Sequence, residues 1–232
     1  MAIKLQSNFV YNNNNYCIEY NNNDYSGPDG ITEIVTNNDY LLNNFNNIES
    51  KIFVDIGANL GIASIILAKQ NPNSVIYSFE PCKKTYNILI NNIKLNNLNN
   101  VKAYNLAVTK PGIEKLKLYS HFLHSGANTT YGNNNIDSHN EFKSGYEEVE
   151  CISFDNIIKN NNIDSIELLK IDCEGAEYDI LYSSEYFKNN YIKNMVGEFH
   201  KLNWNINEDP NKLLEYSKNY VNGFFKISIL NA

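Results

Sequence analysis

Short unbroken apolar runs recur along this chain, each followed by residues at helical spacing. Ile52, Phe53, Val54 and Ile56 form the first run, the pattern of a strand buried on both faces of a parallel sheet. Gly57 follows, where a turn without a Cβ is useful. Ile62, Ile65, Ile66 and Lys69 then fit a helix with one apolar face, and Pro72 lies just past its end. Val75–Phe79 predicts a second strand ending at Glu80-Pro81. Tyr86, Leu89, Ile90, Ile93 and Leu98 predict the next helix, and residues 101–108 a third strand with Asn105 and Ala107 near its carboxyl end. Ile166–Ile171 and residues 192–199 predict a fourth and a fifth buried strand, and residues 224–230 a last one. Between them, Ser153 is placed to cap a helix carrying Phe154 and Ile157. Ala176, Ile180, Leu181 and Phe187 mark another helix, and Leu213, Leu214 and Tyr216 a further one. Strand alternating with helix predicts an α/β fold, doubly wound around a mostly parallel sheet.

Other stretches have period two. Residues 9–11 and 16–20 flank an asparagine turn and predict an N-terminal hairpin. Residues 21–30, with Gly27-Pro28-Asp29-Gly30, read as a turn-rich linker. Residues 31–45 predict one or two short helices across the front of the sheet, either a lid over apolar edges or one wall of a cleft. Residues 114–119 and 147–152 alternate and predict an inserted, paired hairpin. The polar loop between them, residues 121–146, is long enough to be functional or disordered. The organisation expected is a hairpin and lid segment over 1–50 and one compact unit over 51–232.

At 43% hydrophobic and 19% charged, the composition is that of a globular protein. No apolar run approaches the ~20 residues that cross a bilayer, and residues 1–8 lack the layout of a signal peptide. Neither observation suggests a membrane partner. The four cysteines, Cys17, Cys82, Cys151 and Cys173, form no C-x-x-C pair, which fits reduced thiols in a cytoplasmic protein. Net charge is -7 and the sequence holds no arginine. Nucleic-acid recognition leans on arginine forks, so a nucleic-acid partner is disfavoured. The many asparagines read as genome composition and are expected in loops and at helix ends. His121 and His124 have no acid or thiol nearby to complete a metal set.

The chemistry begins at the glycine turn. Strand, glycine turn, helix lets backbone N–H groups meet a ligand. In a dinucleotide turn the middle glycine of G-x-G-x-x-G admits a pyrophosphate; here Asn59 replaces it. Asp55 precedes the turn, a poor neighbour for pyrophosphate and a good one for a cation bearing an amino group. Glu80, at the end of the second strand, is placed for both ribose hydroxyls. Together Asp55 and Glu80 favour S-adenosylmethionine over NAD. Ala107, at a strand carboxyl end, is placed to contact the adenine through its backbone. Further ionisable residues lie at other strand ends: Lys170, Asp172 and Glu174, then Glu198 and His200. In a doubly wound sheet these ends converge, and gathered charges are candidates for work on a proton.

Val-Asp-Ile-Gly-Ala-Asn-Leu-Gly (54–61), Phe-Glu-Pro (79–81), Leu-Lys-Ile-Asp-Cys-Glu-Gly-Ala-Glu (169–177) and Glu-Phe-His (198–200) resemble the FkbM family of S-adenosylmethionine-dependent methyltransferases. The likeness spans roughly residues 51–200. It implies a class I methyltransferase (Rossmann-like) sheet and O-methylation, often of sugar hydroxyls. The acceptor expected is a glycan, a nucleotide sugar or a related small molecule. The resemblance places Asp55, Gly57, Asn59, Gly61 and Glu80 at the cofactor and Asp172 beside its methionine end; Ala58 and Pro81 are their neighbours in the same turns. The family's sheet normally finishes with a paired sixth and seventh strand, whereas this tail has the pattern of one. His200, with an ordinary pKa near ~6.5, is a candidate base. Asp172 is its rival, and Glu174 is placed to orient the acceptor. Asp172 and Glu174 are also oxygen donors of the type Mg²⁺ takes. A nucleic-acid methyltransferase and an NAD-dependent sugar-modifying enzyme are the alternatives.

Overall fold

The computed structural model describes residues 3–121, 123–130, 146–201 and 208–231; most of the long polar loop before Tyr146 lies outside them. Strands β1 (Lys4–Tyr11) and β2 (Asn14–Asn21) pair antiparallel. Asn12 and Asn13 both turn left-handed, with φ of 46° and 61°, as a two-residue hairpin turn requires. The expected linker is instead helical: α1 (Ser26–Ile31) runs into a π-helical stretch, Thr32–Thr36. Gly27 permits this. A Cβ there would lie 2.4 Å from Tyr20 Cγ, so only glycine lets the helix rest on β2. A short 3-10 turn, Leu42–Asn44, completes the segment.

The central sheet contains β3 (Ile52–Ile56), β4 (Val75–Phe79), β5 (Val101–Tyr104), β9 (Ile166–Ile171), β10 (Ile192–Lys201) and β11 (Phe225–Asn231). Their order is β11-β10-β9-β3-β4-β5, and every neighbouring pair is parallel. The chain winds outward from β3 through β4 to β5, then crosses to the other side of β3 for β9. That reversal opens a crevice outside the carboxyl ends of β3 and β9. The strands are buried on both faces: all six residues of β9 are buried. Among the described residues the sheet ends at β11, with no antiparallel partner.

Residues 101–108 are two strands, not one. After Tyr104 the chain leaves the sheet because Asn105 is held elsewhere: its Nδ2 donates to the carbonyls of Glu80 and Pro81, at 3.0 and 2.7 Å. The next residues form β6 (Ala107–Thr109), which pairs parallel with β8 (Glu147–Ser153). β8 in turn pairs antiparallel with β7 (Lys115–Leu118), the expected inserted hairpin. Ser153 caps α4 (Phe154–Asn161) by accepting from Asn156 N–H at 3.2 Å.

Helix α2 (Ile62–Gln70) is buried at every position except Lys69. Sequence spacing suggests one apolar face, but the N-terminal hairpin covers the second: Tyr16 and Ile18 join Ile65 and Ile66 in one apolar cluster. Helix α3 (Lys83–Leu95) carries the polar stitching. Asn92 accepts from Glu19 N–H at 2.7 Å and donates to the carbonyls of Glu19 and Leu60. Asn96, just past the helix, likewise pairs with both backbone groups of Cys17. Both asparagines are buried; Asn96 sits at a helix end as expected, whereas Asn92 lies within the helix. A side-chain amide is the group that satisfies an exposed strand edge. The opposite face of the sheet is covered by α4, α5 (Glu177–Ser183), α6 (Glu185–Lys188) and α7 (Pro210–Lys218) around a second cluster with Phe154, Tyr178 and Phe187.

Candidate active site

The turn after β3 is built to pass close to β9. Gly57 has φ of 75°, and a Cβ on it would meet the Asp172 carbonyl oxygen at 1.8 Å. Asn59 is also left-handed, at 48°, a conformation asparagine tolerates. The amides of this turn are spent within the protein. Gly57 and Ala58 both donate to Phe79 O, at 3.1 and 2.9 Å, and Gly61 donates to Ala58 O. Asn59 N–H donates to Glu80 Oε2 at 3.0 Å. The row of free N–H groups expected for a ligand is therefore absent from these residues. With these four amides already paired, the turn meets the cleft as a wall.

A cleft that opens to solvent and encloses about 600 Å³ of empty space runs along that wall. On one side stand Phe79, Glu80, Pro81, Leu106, Ala107 and Val108; Gly57 and Asn59 form the turn; Asp172, Cys173 and Glu174 close the far end. The segment after Leu123 forms the roof. Ser125 Oγ donates to Asn59 Oδ1 at 3.0 Å, and Ser125 N–H to Asp24 Oδ1 at 3.0 Å. His124 Nδ1 pairs with Ser26 Oγ at 3.1 Å, and its Nε2 lies 3.3 Å from Asp29. On the other side of Gly57 is a second space of about 380 Å³ lined by Glu33, Tyr40, Lys170 and Asp172. The segment over residues 31–45 is thus a cleft wall, not only a cover.

Glu80 accepts from Asn59 and Cys82 N–H, the latter at 2.8 Å. Burial pushes its carboxyl up to about 7, against the pull of those two donors. Glu80 lines the cleft together with Phe79 and Ala107.

Asp55 lies elsewhere than the sequence suggests. It is fully buried and is not among the cleft-lining residues. Its Oδ2 accepts from Ser64 Oγ at 2.5 Å, and its Oδ1 lies 3.3 Å from Lys170 Nζ. A carboxylate already neutralised by a buried ammonium has little field left for a ligand cation. Lys170 is equally committed: it donates to Gly57 O at 2.6 Å and lies 3.6 Å from Asp172 Oδ2. Burial works against its charge, but Asp55 and Asp172 raise its pKa well above the ordinary value. It fixes the turn to the acids of β9 and is not free to exchange a proton. Tyr40, which the sequence did not single out, donates to Asp172 Oδ2 at 2.8 Å.

The far end of the cleft is a ring of acids around His200. Its Nδ1 pairs with Glu177 Oε1 at 3.0 Å. Its Nε2 faces Glu174 at 3.5 Å and Asp172 and Glu198 at 3.9 Å each. Burial tends to lower the ring's pKa, but Glu177, Glu174 and Asp172 overcome it and hold it at about 10. The free imidazole base of the sequence reading is thus an imidazolium at neutral pH. Burial and crowding act the other way on the acids: burial first, then the neighbouring Asp172, raises Glu174 to about 8 and Glu198 to about 7. Glu177 had no chemical signal of its own in the sequence; only the return of β10 to α5 pairs it with His200.

A parallel doubly wound sheet, a glycine turn with Asn59 at its middle position and an acid at the end of β4 define a domain of the kind that takes a nucleoside-containing cofactor. The profile of the methyltransferase FkbM domain matches residues 55–223, and the chain belongs to that family. Its cofactor is S-adenosylmethionine. The chain is 25% identical over 164 residues to Methyltransferase 1 of Beauveria bassiana (strain ARSEF 2860), covering 65% of each protein. It is 26% identical over 182 residues to Methyltransferase sdnD of Sordaria araneosa, covering 66% of this chain and 68% of that one. These alignments span about two thirds of each relative's length. Among solved structures, M. jannaschii TYW2 in complex with AdoMet is similar over 42% of each chain at 22% identity and a TM-score of 0.27. An rRNA methylase from Streptococcus thermophilus is similar over 66% of each at 11% identity and 0.35.

Proposed function

We propose that the protein transfers the methyl group of S-adenosylmethionine to a hydroxyl oxygen of a sugar, on a glycan or related small molecule. The observation that carries this reading is the set of acids, Asp172, Glu174 and Glu198, gathered around His200, with Asp172 bordering both cavities. Carboxylates accept hydrogen bonds from hydroxyls and repel phosphates. A neutral, hydroxyl-bearing end of the acceptor therefore belongs beside them. A nucleic acid, or the diphosphate of a nucleotide sugar, would have to lie away from them. The lysine-only chain and net charge of -7 support the same view.

Transfer is an in-line displacement: the acceptor oxygen gains the methyl carbon as the bond to sulfur breaks, and the hydroxyl proton leaves to a base. Alignment of the three atoms supplies most of the acceleration. Asp172 is the group we assign as base, because it borders both cavities and is oriented by Tyr40 and Lys170. His200, held as a cation, then steadies the charge around Asp172. Among the described residues no helix is long and apolar enough to cross a membrane. The four free cysteines support a reducing, cytoplasmic setting.

Screening sugars and glycans for the mass gain of one methyl, with isothermal titration of the donor and its demethylated product, tests the reading. Asp172→Asn should lower kcat by about 100-fold or more with donor affinity largely kept. No detectable heat from donor or product overturns the proposal, and wild-type turnover in Asp172→Asn removes its base.

A further inference from the structure

We propose that Asp172, Glu174 and His200 form a binding site for a divalent metal ion of the Mn²⁺ or Mg²⁺ type, with Glu198 at its rim. The donor atoms of the first three residues all lie within 4.8 Å of one another. Ligands held at about 2.1 Å by a single octahedral ion sit about 3 to 4.2 Å apart. A small inward turn of the carboxylates therefore closes the set.

Three carboxylates in one place do not make a site, but His200 is placed as a metal ligand. Its side chain is 3% exposed. Nδ1 is fixed by Glu177, the carboxylate–histidine arrangement that aims the other ring nitrogen at a metal. Among the described residues Nε2 makes no hydrogen bond; its nearest oxygens stand off at 3.5 to 3.9 Å. If Nε2 carries a proton, that proton lacks an acceptor at hydrogen-bond distance. If it carries a lone pair, the lone pair points at three acids. A metal ion between them takes the Nε2 lone pair by displacing the proton, and its own charge then balances the acids in the proton's place.

A second buried atom shows the same imbalance. Glu177 is fully inaccessible, and its Oε2 has no hydrogen-bond partner. The nearby Lys170 is already shared by Asp55, Asp172 and Gly57 O. Oxygen donors dominating over one imidazole select Mn²⁺ or Mg²⁺ over softer, thiolate-seeking ions. Asp172 and Glu174 also line the main cleft, so the ion's remaining positions would face an acceptor, and adjacent hydroxyls of a polyol are the ligands that suit them.

The inference rests on these side chains and not on methyl transfer, so its test omits the donor. Mn²⁺ is titrated into the full-length protein and bound ion is followed by loss of the free-ion paramagnetic signal. The expected result is one ion per chain, displaced by excess Mg²⁺. Glu174→Gln and Asp172→Asn should each weaken binding at least tenfold, while the exposed Glu148→Gln stays like wild type. Circular dichroism confirms that the variants are folded. No bound Mn²⁺ at millimolar concentration, or equal affinity in wild type, Glu174→Gln and Asp172→Asn, overturns the site. Donor binding without Mn²⁺ binding overturns it alone and leaves the methyltransferase reading intact.

Discussion

With Glu80 as the ribose acceptor, the role we propose for it, cofactor binding is tied to the protonation of one side chain. It holds its proton to about 7 in the fold, against an ordinary value of 4.5, because burial disfavours the charge. Ribose hydroxyls donate, so binding favours the ionised form. Donor affinity should therefore rise as the pH climbs from 6 to 8, by about tenfold per unit on the acid side. Calorimetry across that range checks it, and Glu80→Gln should bind weakly with a flat profile. The same shift acts on folding with the opposite sign. The folded protein keeps the proton longer than the unfolded chain does, so this group's contribution to stability is lost as pH rises through about 7. Gly57 is the other residue on which the site depends. Gly57→Ala forces a Cβ against the Asp172 carbonyl and should destabilise by about 3 kcal/mol or more, read as a fall in the urea midpoint. The sequence displayed both residues, since a glycine after an apolar run and an acid after the next need no tertiary knowledge. Tyr40 was not legible, and Glu177 stood in the motif over 169–177 without its pairing to His200: the partners are 132 and 23 residues away along the chain.

At the scale of elements, the contact between the hairpin and α3 is polar and specific. Asn92 serves three backbone groups of β2 and the glycine turn. Replacing it with leucine strands them in a buried place, at about 1–3 kcal/mol for each group left unmade. Asn92→Leu should therefore lower the urea midpoint markedly, whereas an exposed asparagine such as Asn219 should tolerate change. Leu60 lies in the cofactor turn, so the substitution should also weaken donor binding, which calorimetry on the same samples measures. The split of residues 101–108 into β5 and β6 has a comparable cause. Apolar residues stand on both sides of Asn105, and the hydrogen bonds of Asn105 to the Glu80-Pro81 turn decide where the chain leaves the sheet.

Across the whole molecule, the central strand and its neighbour are joined by a buried ion pair. Lys170 and Asp55 meet at 3.3 Å with almost no exposure. Removing one partner leaves the other's charge uncompensated, at about 3–5 kcal/mol. Lys170→Met should be severely destabilised, and adding Asp55→Asn should restore much of the loss. Thermal denaturation of the two single variants and the double variant measures this coupling.

The sequence by itself determined the alternation of strand and helix, the parallel sheet, the glycine turn and the acids at the strand ends, because periodicity and turn chemistry are local properties. It also carried the family. Tertiary structure alone decided how those charges are spent. Asp55 faces a lysine behind the turn and not a ligand, and His200 is a cation among acids and not a free base. Side-chain ionisation depends on neighbours brought together by the winding of the sheet, and no spacing along the chain records them.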